Sequence, residues 1–219
     1  MHVVVNAAMS ADGKLSSSAR EQVRISGDAD FDRMDAIRAA SDAIVVGVGT
    51  VLADDPHLTV KDDDRIASRL ESGEPAHPAR VVIDSRGRTP TDASVLDDAA
   101  ETYLCTTSAL SDSRRKAIER RATIITAGTD RVDLREAFRA LESAGIESIM
   151  VEGGGELIFS LFEADIVDEL RVFVGPQIIG GRDAPTLADG DGFRRDFPEL
   201  RLESVDRLDG GVVLVWDVR

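Results

Sequence analysis

The stretch ESIMVEGGGELIFSLFEADIVDELRVFVGPQIIGG, residues 147–181, says more about the fold than any other part of the chain. Its apolar run, residues 149–151, ends in Glu152 and three glycines, and an apolar segment follows at once. This order predicts a strand, a turn and a helix N-terminus, where backbone N–H groups can face a phosphate. Glycine has no Cβ, so a ligand could approach closely. The stretch matches neither G-x-G-x-x-G nor G-x-x-x-x-G-K-[ST], so a plain glycine-rich turn stays an equally open interpretation.

Strands and helices alternate through most of the chain, which favours a largely parallel sheet covered by helices. The sequence predicts strands over residues 3–8, 43–48, 80–83, 102–106, 123–126 and 148–152. It predicts helices over residues 28–40, 111–120 and 134–143. Asp28 is the residue type that caps a helix, and it precedes apolar residues at helical spacing. Residues 61–78 are polar and rich in turn-forming types, so we expect a loop with one helical turn.

The C-terminal part has a different pattern, with strands predicted over residues 169–174, 200–205 and 212–218 and no clear helix between them. Asp209-Gly210-Gly211 has the composition of a hairpin turn. We therefore predict one α/β domain over residues 1–219. Its mixed sheet is mostly parallel, with antiparallel C-terminal strands, and helices flank it.

The charge balance is strongly acidic, with 26 basic and 41 acidic residues and a net charge of −15. Lysine occurs only at Lys14, Lys61 and Lys116, so the other 23 cations are arginines. A dense carboxylate surface repels itself at low salt and is screened at high salt. This composition is similar to that of proteins from extreme halophiles, with an ordinary acidic protein as the alternative. Nucleic acid is not an expected partner, since a phosphate backbone binds basic surfaces.

Composition also limits the other classes of protein. No apolar run approaches the ~20 residues of a membrane span, and residues 1–9 do not resemble a signal peptide. Cys105 is the single cysteine, and the three histidines, His2, His57 and His77, lack ligand spacing. We therefore expect a cytoplasmic protein without a disulfide or a metal.

Two further segments place polar groups after buried strands. In VGVGTVLADDP, residues 46–56, Thr50 and Asp54 are four residues apart on one face of a helical turn that Thr50 opens. They suit hydrogen bonding to a ribose or an amide, although a capping Thr with a local Asp partner remains an alternative. In DSRGRTP, residues 84–90, a serine and two arginines follow a strand end. Guanidinium groups there could hold a phosphate such as the 2′-phosphate of NADPH, or form a solvated basic turn.

Five segments, taken in order, resemble the reductase domain of riboflavin biosynthesis, whose fold is similar to that of dihydrofolate reductase. They are NAAMSADGKL (6–15), RISGDADFDRMDAIRAASDAIVVGVGTVLADDPHLTV (24–60), RVVIDSRGRTP (80–90), IESIMVEGGGEL (146–157) and IVDELRVFVGPQIIGG (166–181). The resemblance implies an enzyme that uses NADPH, with NADH also possible, and reduces the ribosyl chain of an aminopyrimidine ribosyl phosphate. The protein would supply orientation and electrostatics while the cofactor carries the chemistry.

The resemblance also implies roles for individual residues. Cofactor-binding residues would be Thr50, Asp54, Ser85, Arg86, Gly87, Arg88, Glu152, Gly153, Gly154, Gly155, Glu156 and Leu157. Substrate-binding residues would be Asn6, Arg38, Lys61 and Glu152, with Arg38 and Lys61 at the phosphate end. Glu156 departs from the family, where Thr or Pro often follows the glycines, and it adds a negative charge beside the phosphates. No residue is assigned as the catalytic proton donor.

The zinc deaminase signature that often precedes this domain in bacterial relatives is missing, and Met1 comes just before the first strand. We therefore expect a stand-alone reductase, as in archaea and fungi, that acts before deamination on 2,5-diamino-6-ribosylamino-4(3H)-pyrimidinone 5′-phosphate. The resemblance further implies a homodimer, with the C-terminal strands as interface. Two alternatives stay open: a reductase of the same fold acting on the deaminated pyrimidine or on a pterin such as dihydrofolate, and a non-catalytic NADPH-binding sensor.

Overall fold

The nine strands belong to one mixed sheet, and six α-helices connect or follow them. The computed structural model describes residues 1–219. The elements in chain order are β1 (His2–Ser10), α1 (Asp28–Ala39), β2 (Ala43–Gly47), α2 (Val48–Asp54), α3 (Asp63–Glu71), β3 (Ala79–Ile83), a 3₁₀ turn (Ser94–Leu96), β4 (Thr102–Thr106), α4 (Asp112–Ile118), β5 (Thr123–Thr126), α5 (Leu134–Ser143), β6 (Ser148–Gly153), α6 (Gly155–Glu163), β7 (Glu169–Gly175), β8 (Leu200–Leu208) and β9 (Gly211–Val218). None of the helices has the length and hydropathy that crossing a bilayer requires.

Backbone contacts group the residues into two compact units. The first unit consists of Met1 and Asp35–Met150. Its strands lie in the order β5-β4-β3-β2, and every pairing is parallel. Apolar side chains such as Ile44, Val82 and Leu104 are fully buried in its core. Such continuous apolar runs are typical of parallel strands that are covered on both faces.

The second unit consists of His2–Met34 and Val151–Arg219, so β6 contributes residues to both units. Here β1 pairs with β7 in parallel, while β7 with β9 and β8 with β9 are antiparallel. The turn between β8 and β9 has positive φ at Asp209 (49°) and Gly210 (74°). Two successive residues with positive φ fit a tight hairpin whose twist matches the strands.

Most of the predicted elements are confirmed. Strands β4 and β5 and helix α5 have the predicted bounds, and the other predicted strands begin or end within three residues of theirs. The mixed sheet with antiparallel C-terminal strands is confirmed as well. Helix α2 begins at Val48 with Gly47 as its N-cap, so the prediction that Thr50 opens this helix is wrong.

The prediction of a loop with one helical turn over residues 61–78 underestimates the helix, because α3 occupies half of this segment. The Asp62 side chain caps this helix by accepting a hydrogen bond from Arg65 N at 2.9 Å. Arg69 is buried and donates to the carbonyl oxygens of Ala39 (2.6 Å) and Ser41 (3.1 Å). Tertiary contacts of an arginine therefore hold a helix that has few apolar residues.

Helix α1 is where it was predicted, but its cap is not Asp28. The helix begins at Asp28, whose carboxylate pairs with Arg24 at 2.5 Å. Asp30 N donates instead to Asp209 Oδ2 at 2.7 Å. The acceptor for this helix N-terminus thus comes from the β8–β9 turn, far away in sequence.

Candidate functional site

The glycine-rich turn between β6 and α6 has the predicted strand–turn–helix geometry. Gly153 has a φ of +124°, and a Cβ built there would meet no atom within 4 Å, so open space lies beside it. The hydrogen-bond ladder of α6 starts with Leu157 N donating to Gly154 O at 2.9 Å. The N–H groups of Gly155 and Glu156 precede this ladder and are available to an anion at the helix N-terminus.

Gly155 has a structural reason to be glycine. A Cβ there would lie 2.3 Å from Thr186 O and 2.9 Å from Asp189 Oδ2. The Asp189 carboxylate accepts a hydrogen bond from Thr186 N, and the backbone N–H of Asp189 donates to Gly155 O at 3.1 Å. Part of the glycine signal therefore reflects the close approach of the 186–189 turn, and part the open space at Gly153.

The other predicted residues of this turn lie in different surroundings. Leu157 is buried in the core at 7% exposure, and its N–H belongs to the helix ladder. Glu156 is exposed, so its carboxylate extends into solvent. Glu152 is half-buried near the end of β6. Only backbone groups of this turn are therefore placed for a phosphate.

Asn6 on β1 is the second distinctive group of the second unit. It is only 7% exposed, and its Oδ1 atom is buried without a hydrogen-bond partner. A buried amide oxygen without a partner is costly, so such an atom is a good acceptor for a ligand.

In the first unit, Thr50 and Asp54 lie on α2 as expected from their spacing. Thr50 is half-buried and Asp54 is exposed. Partial desolvation raises the pKa of the Asp54 carboxyl above its usual value. No hydrogen bond joins the two side chains, so the alternative of a capping Thr with a local Asp partner is not what the structure has.

The loop that follows β3, residues 84–90, is closed by Asp84. This aspartate is fully buried, and its Oδ2 accepts hydrogen bonds from Thr89 N and Thr89 Oγ1, both at 2.7 Å. Ser85 Oγ accepts from Val132 N at 3.0 Å, and Thr107 Oγ1 donates to Ser85 O at 2.9 Å. The hydroxyl oxygen of Ser85 is therefore engaged as an acceptor within the protein, while its O–H can still donate to a ligand.

Gly87 and Arg114 fix the middle of the same loop. Gly87 has a φ of +63°, and a Cβ there would lie 2.3 Å from Leu110 Cδ1. Arg114 donates through Nε to Gly87 O at 2.7 Å and through Nη2 to Thr89 O. Arg86 and Arg88, in contrast, are exposed. A fixed backbone thus presents two guanidinium groups to solvent, as recognition of a phosphate requires.

Arg38 and Lys61 meet at Thr59, which the sequence did not single out. Arg38 Nη1 donates to Thr59 O at 3.0 Å, and Lys61 Nζ donates to Thr59 Oγ1 at 2.9 Å. Arg38 is 9% exposed, whereas Lys61 is exposed. The pairing of a helix residue with a loop residue 21 positions away leaves no periodic signal in the sequence.

The predicted residues accordingly divide between the two units. The first unit holds Arg38, Thr50, Asp54, Lys61, Ser85, Arg86, Gly87 and Arg88. The second unit holds Asn6, Glu152, Gly153, Gly154, Gly155, Glu156 and Leu157. Their roles toward a ligand remain predictions.

Comparisons with known proteins agree on one family. The family model described as the RibD C-terminal domain matches residues 1–214. A protein of Archaeoglobus fulgidus named 2,5-diamino-6-ribosylamino-4(3H)-pyrimidinone 5′-phosphate reductase is 42% identical, over 96% of this chain and 94% of its own. A protein of Methanothermobacter thermautotrophicus with the same name is 42% identical, over 92% and 90%.

The fold is similar to that of solved structures. The crystal structure of a pyrimidine reductase-like protein from Corynebacterium diphtheriae superimposes with a TM-score of 0.80 at 21% identity. The match covers 100% of this chain and 92% of that one. It confirms the predicted fold class.

Proposed function

The chain belongs to the RibD C-terminal domain family, and from this premise we propose that it is a reductase of riboflavin biosynthesis. Its substrate would be 2,5-diamino-6-ribosylamino-4(3H)-pyrimidinone 5′-phosphate, whose ribosyl side chain becomes the ribityl form. The observation that carries the proposal is the pair of archaeal relatives with this name, because each matches over at least 90% of both chains. One reductase domain over residues 1–219 is part of the proposal.

We propose NADPH as the cofactor, with NADH as the alternative. Bound NADPH supplies the hydride for the reduction. The open space at Gly153 and the N–H groups of Gly155 and Glu156 fit a diphosphate at the helix N-terminus. Exposed Arg86 and Arg88 fit the 2′-phosphate that distinguishes NADPH from NADH.

On the substrate side, the chain offers two cations and one amide. Arg38 and Lys61 would bind the 5′-phosphate, because each carries a positive charge that attracts it. Asn6 Oδ1, buried without a partner, would accept a hydrogen bond from an amino group of the pyrimidine. Glu152 would lie where cofactor and substrate meet, and no proton donor is proposed.

The activity is tested by following NADPH oxidation in molar KCl, with the diamino compound and its deaminated counterpart offered in parallel. We expect turnover of the diamino compound. Turnover of the deaminated compound alone would keep the reductase but place it after deamination. NADPH binding without oxidation by either compound would contradict the proposal and favour a pterin reductase or a sensor.

We also propose a homodimer, formed through one face of the β8–β9 hairpin. Cross-strand pairing puts Leu202 opposite Trp216 and Val205 opposite Leu214, so these four side chains share a face. The same face continues on β7 with Leu170 and Val172, which are buried at 3% and 0% exposure. On β8, however, Leu202 is 53% and Val205 56% exposed.

A second copy of the chain is the occupant that fits this face best. The chain carries a net charge of −15, so two copies repel each other wherever charged surfaces meet. The hairpin face is apolar at the pairs Leu200/Val218, Leu202/Trp216 and Val205/Leu214, with Arg207 only at its turn end, and β8 is the last strand of its sheet. An apolar face at an open edge is a usual site of self-association.

Replacing Leu202 and Val205 by aspartate is expected to convert the protein to a monomer. In a dimer, the two new carboxylates of each protomer would be buried against the same carboxylates of its partner. The mass of the wild-type protein in solution, from light scattering, should be twice the 23.5 kDa of the chain, and that of the variant 23.5 kDa. Ser204→Asp puts the same charge on the opposite face and should leave the dimer intact. A monomeric wild-type protein would contradict the proposal.

A further inference from the structure

Two cations from separate parts of the chain, one on α1 and one in the segment before α3, contact the same threonine in the first unit. Arg38, in the last turn of α1, binds the carbonyl oxygen of Thr59 at 3.0 Å. Lys61 binds its hydroxyl oxygen at 2.9 Å. Thr59 itself is 6% exposed, although it lies in the irregular segment between α2 and α3. A buried polar residue that is contacted by two cations is a defined arrangement and not a solvated loop.

Asp35 explains why Lys61 lies there. Its carboxylate is 4% exposed and accepts hydrogen bonds from Lys61 N at 2.7 Å and from Asp62 N at 3.1 Å. Arg65 Nη1 adds a third, at 3.2 Å. Asp35 and Arg38 are three residues apart and so lie on one face of α1. This face therefore fixes both ends of the segment from Thr59 to Lys61.

The hydroxyl of Thr59 has an unused proton. Its oxygen accepts from the Lys61 ammonium, which leaves the O–H free to donate to a further acceptor. A phosphate oxygen beside Lys61 would be such an acceptor, since an anion there would bind an ammonium and a hydroxyl together.

His77 senses the charges around this cluster. His77 is half-buried, and its Nδ1 atom is buried without a partner. Desolvation lowers the pKa of His77, and the charges of Arg80, Lys61 and Arg69 lower it further, whereas Asp35 acts in the opposite direction. The charge of Asp35 is matched by Arg65, with which it forms an ion pair at 3.2 Å. At His77, therefore, three cations of this neighbourhood act against one carboxylate.

We propose that Thr59 is a direct ligand of the substrate phosphate and that Asp35 is the positioning residue that holds Lys61 for it. The ligand class is a phosphomonoester, bound by the Lys61 ammonium, the Thr59 hydroxyl and the Arg38 guanidinium. The identity of the substrate rests on the proposed function, whereas the anion site itself can be tested without turnover.

The kinetic test compares two aspartates that make the same number of hydrogen bonds. Asp35→Asn should raise the KM for the ribosylaminopyrimidine phosphate about tenfold and leave the KM for NADPH within about twofold, because one charge-assisted contact is weakened. The control is Asp42→Asn, since Asp42 Oδ2 also accepts three donors, Glu147 N (2.9 Å), Ser148 N (2.8 Å) and Ser148 Oγ (2.9 Å). The control should lower the thermal stability without changing either KM.

Thr59 is tested by a pair of substitutions. Thr59→Val keeps the shape but removes the hydroxyl, and it should raise the same KM about tenfold. Thr59→Ser restores the hydroxyl and should restore the wild-type KM. Equal increases in both KM values for Asp35→Asn and Thr59→Val, or no rescue by serine, would overturn the proposal.

An NMR titration tests the anion site independently of activity, because the chain has only three histidines. Inorganic phosphate should raise the titration midpoint of His77 in the wild-type protein, since a bound anion offsets the nearby cations. His2 and His57 serve as internal references that should not move. In Asp35→Asn, the shift should need about tenfold more phosphate.

A His77 midpoint that phosphate leaves unchanged in the wild-type protein would overturn the site, even if the enzyme turns over the proposed substrate. A phosphate-dependent His77 in a protein without that turnover would instead refute only the proposed function.

Discussion

Replacing Arg86 and Arg88 together by glutamine should raise the KM for NADPH about 100-fold, if each contributes a charge-assisted bond of about 1.5 kcal/mol to the 2′-phosphate. The KM for NADH should stay within about twofold, because NADH has no phosphate at this position. The expected result follows from the loop geometry: Asp84, Gly87 and Arg114 fix the backbone, while the two guanidinium groups are exposed. Steady-state kinetics with both cofactors measure the effect.

A matched control removes the same charge elsewhere in the first unit. Arg120 and Arg121 are likewise close in sequence and exposed, and neither belongs to the predicted site. Changing both to glutamine should leave both KM values within about twofold. The measurement should be repeated at low and high KCl, because screening weakens exposed charge pairs. Equal losses for NADPH and NADH in the Arg86/Arg88 variant would refute the assignment of the 2′-phosphate.

The sequence was sufficient where local pattern and burial agree. Strand β4 and helix α5 have the predicted bounds, because an apolar run and an amphipathic pattern are both local signals. The glycine turn after β6 was predicted for the same reason. Its division into an open glycine, Gly153, and a packing glycine, Gly155, was not predictable, because the atom that excludes a Cβ belongs to Thr186.

The missed helix, the misassigned cap and the overlooked residues have one physical cause, which is partners that are distant in sequence. Helix α3 was missed because its buried face includes Arg69, which is satisfied by carbonyl groups about 30 residues away. The cap of α1 was misassigned because its acceptor is Asp209. Asp35 and Thr59 were overlooked because their partners lie on another element, and a one-dimensional pattern contains no record of such pairs.

The largest effect on stability is expected at the pair formed by Arg80 and Asp97. Arg80 on β3 is fully buried, and its Nη2 donates to Asp97 Oδ1 at 2.7 Å. Its Nη1 donates to the carbonyl oxygen of Val95 at 3.0 Å, while Nε is buried without a partner. The guanidinium therefore depends on Asp97 as its one anionic partner among these contacts.

Asp97→Ala is expected to lower the free energy of unfolding by about 3 kcal/mol, because it leaves a buried charge without its counter-ion. Urea denaturation at fixed KCl concentration measures the change. Asp98→Ala, at the exposed neighbouring position, should change the free energy of unfolding by less than about 0.5 kcal/mol. Arg80→Met combined with Asp97→Ala should recover most of the loss, since an apolar side chain of similar length needs no partner.

The same pair predicts a pH dependence with a definite sign. Burial alone would raise the pKa of Asp97, but the hydrogen bond from Ala99 N and the Arg80 guanidinium outweigh it and lower the pKa to about 2. A carboxyl whose pKa is lower in the folded state contributes stability above its unfolded value, near 3.8. That contribution should be lost as the pH falls from about 4 toward 2.

The free energies of unfolding of the wild-type protein and of Asp97→Asn, measured across this range, should converge as the pH decreases. A stability difference that is constant from pH 5 to about pH 2 would mean that the Asp97 charge does not stabilise Arg80.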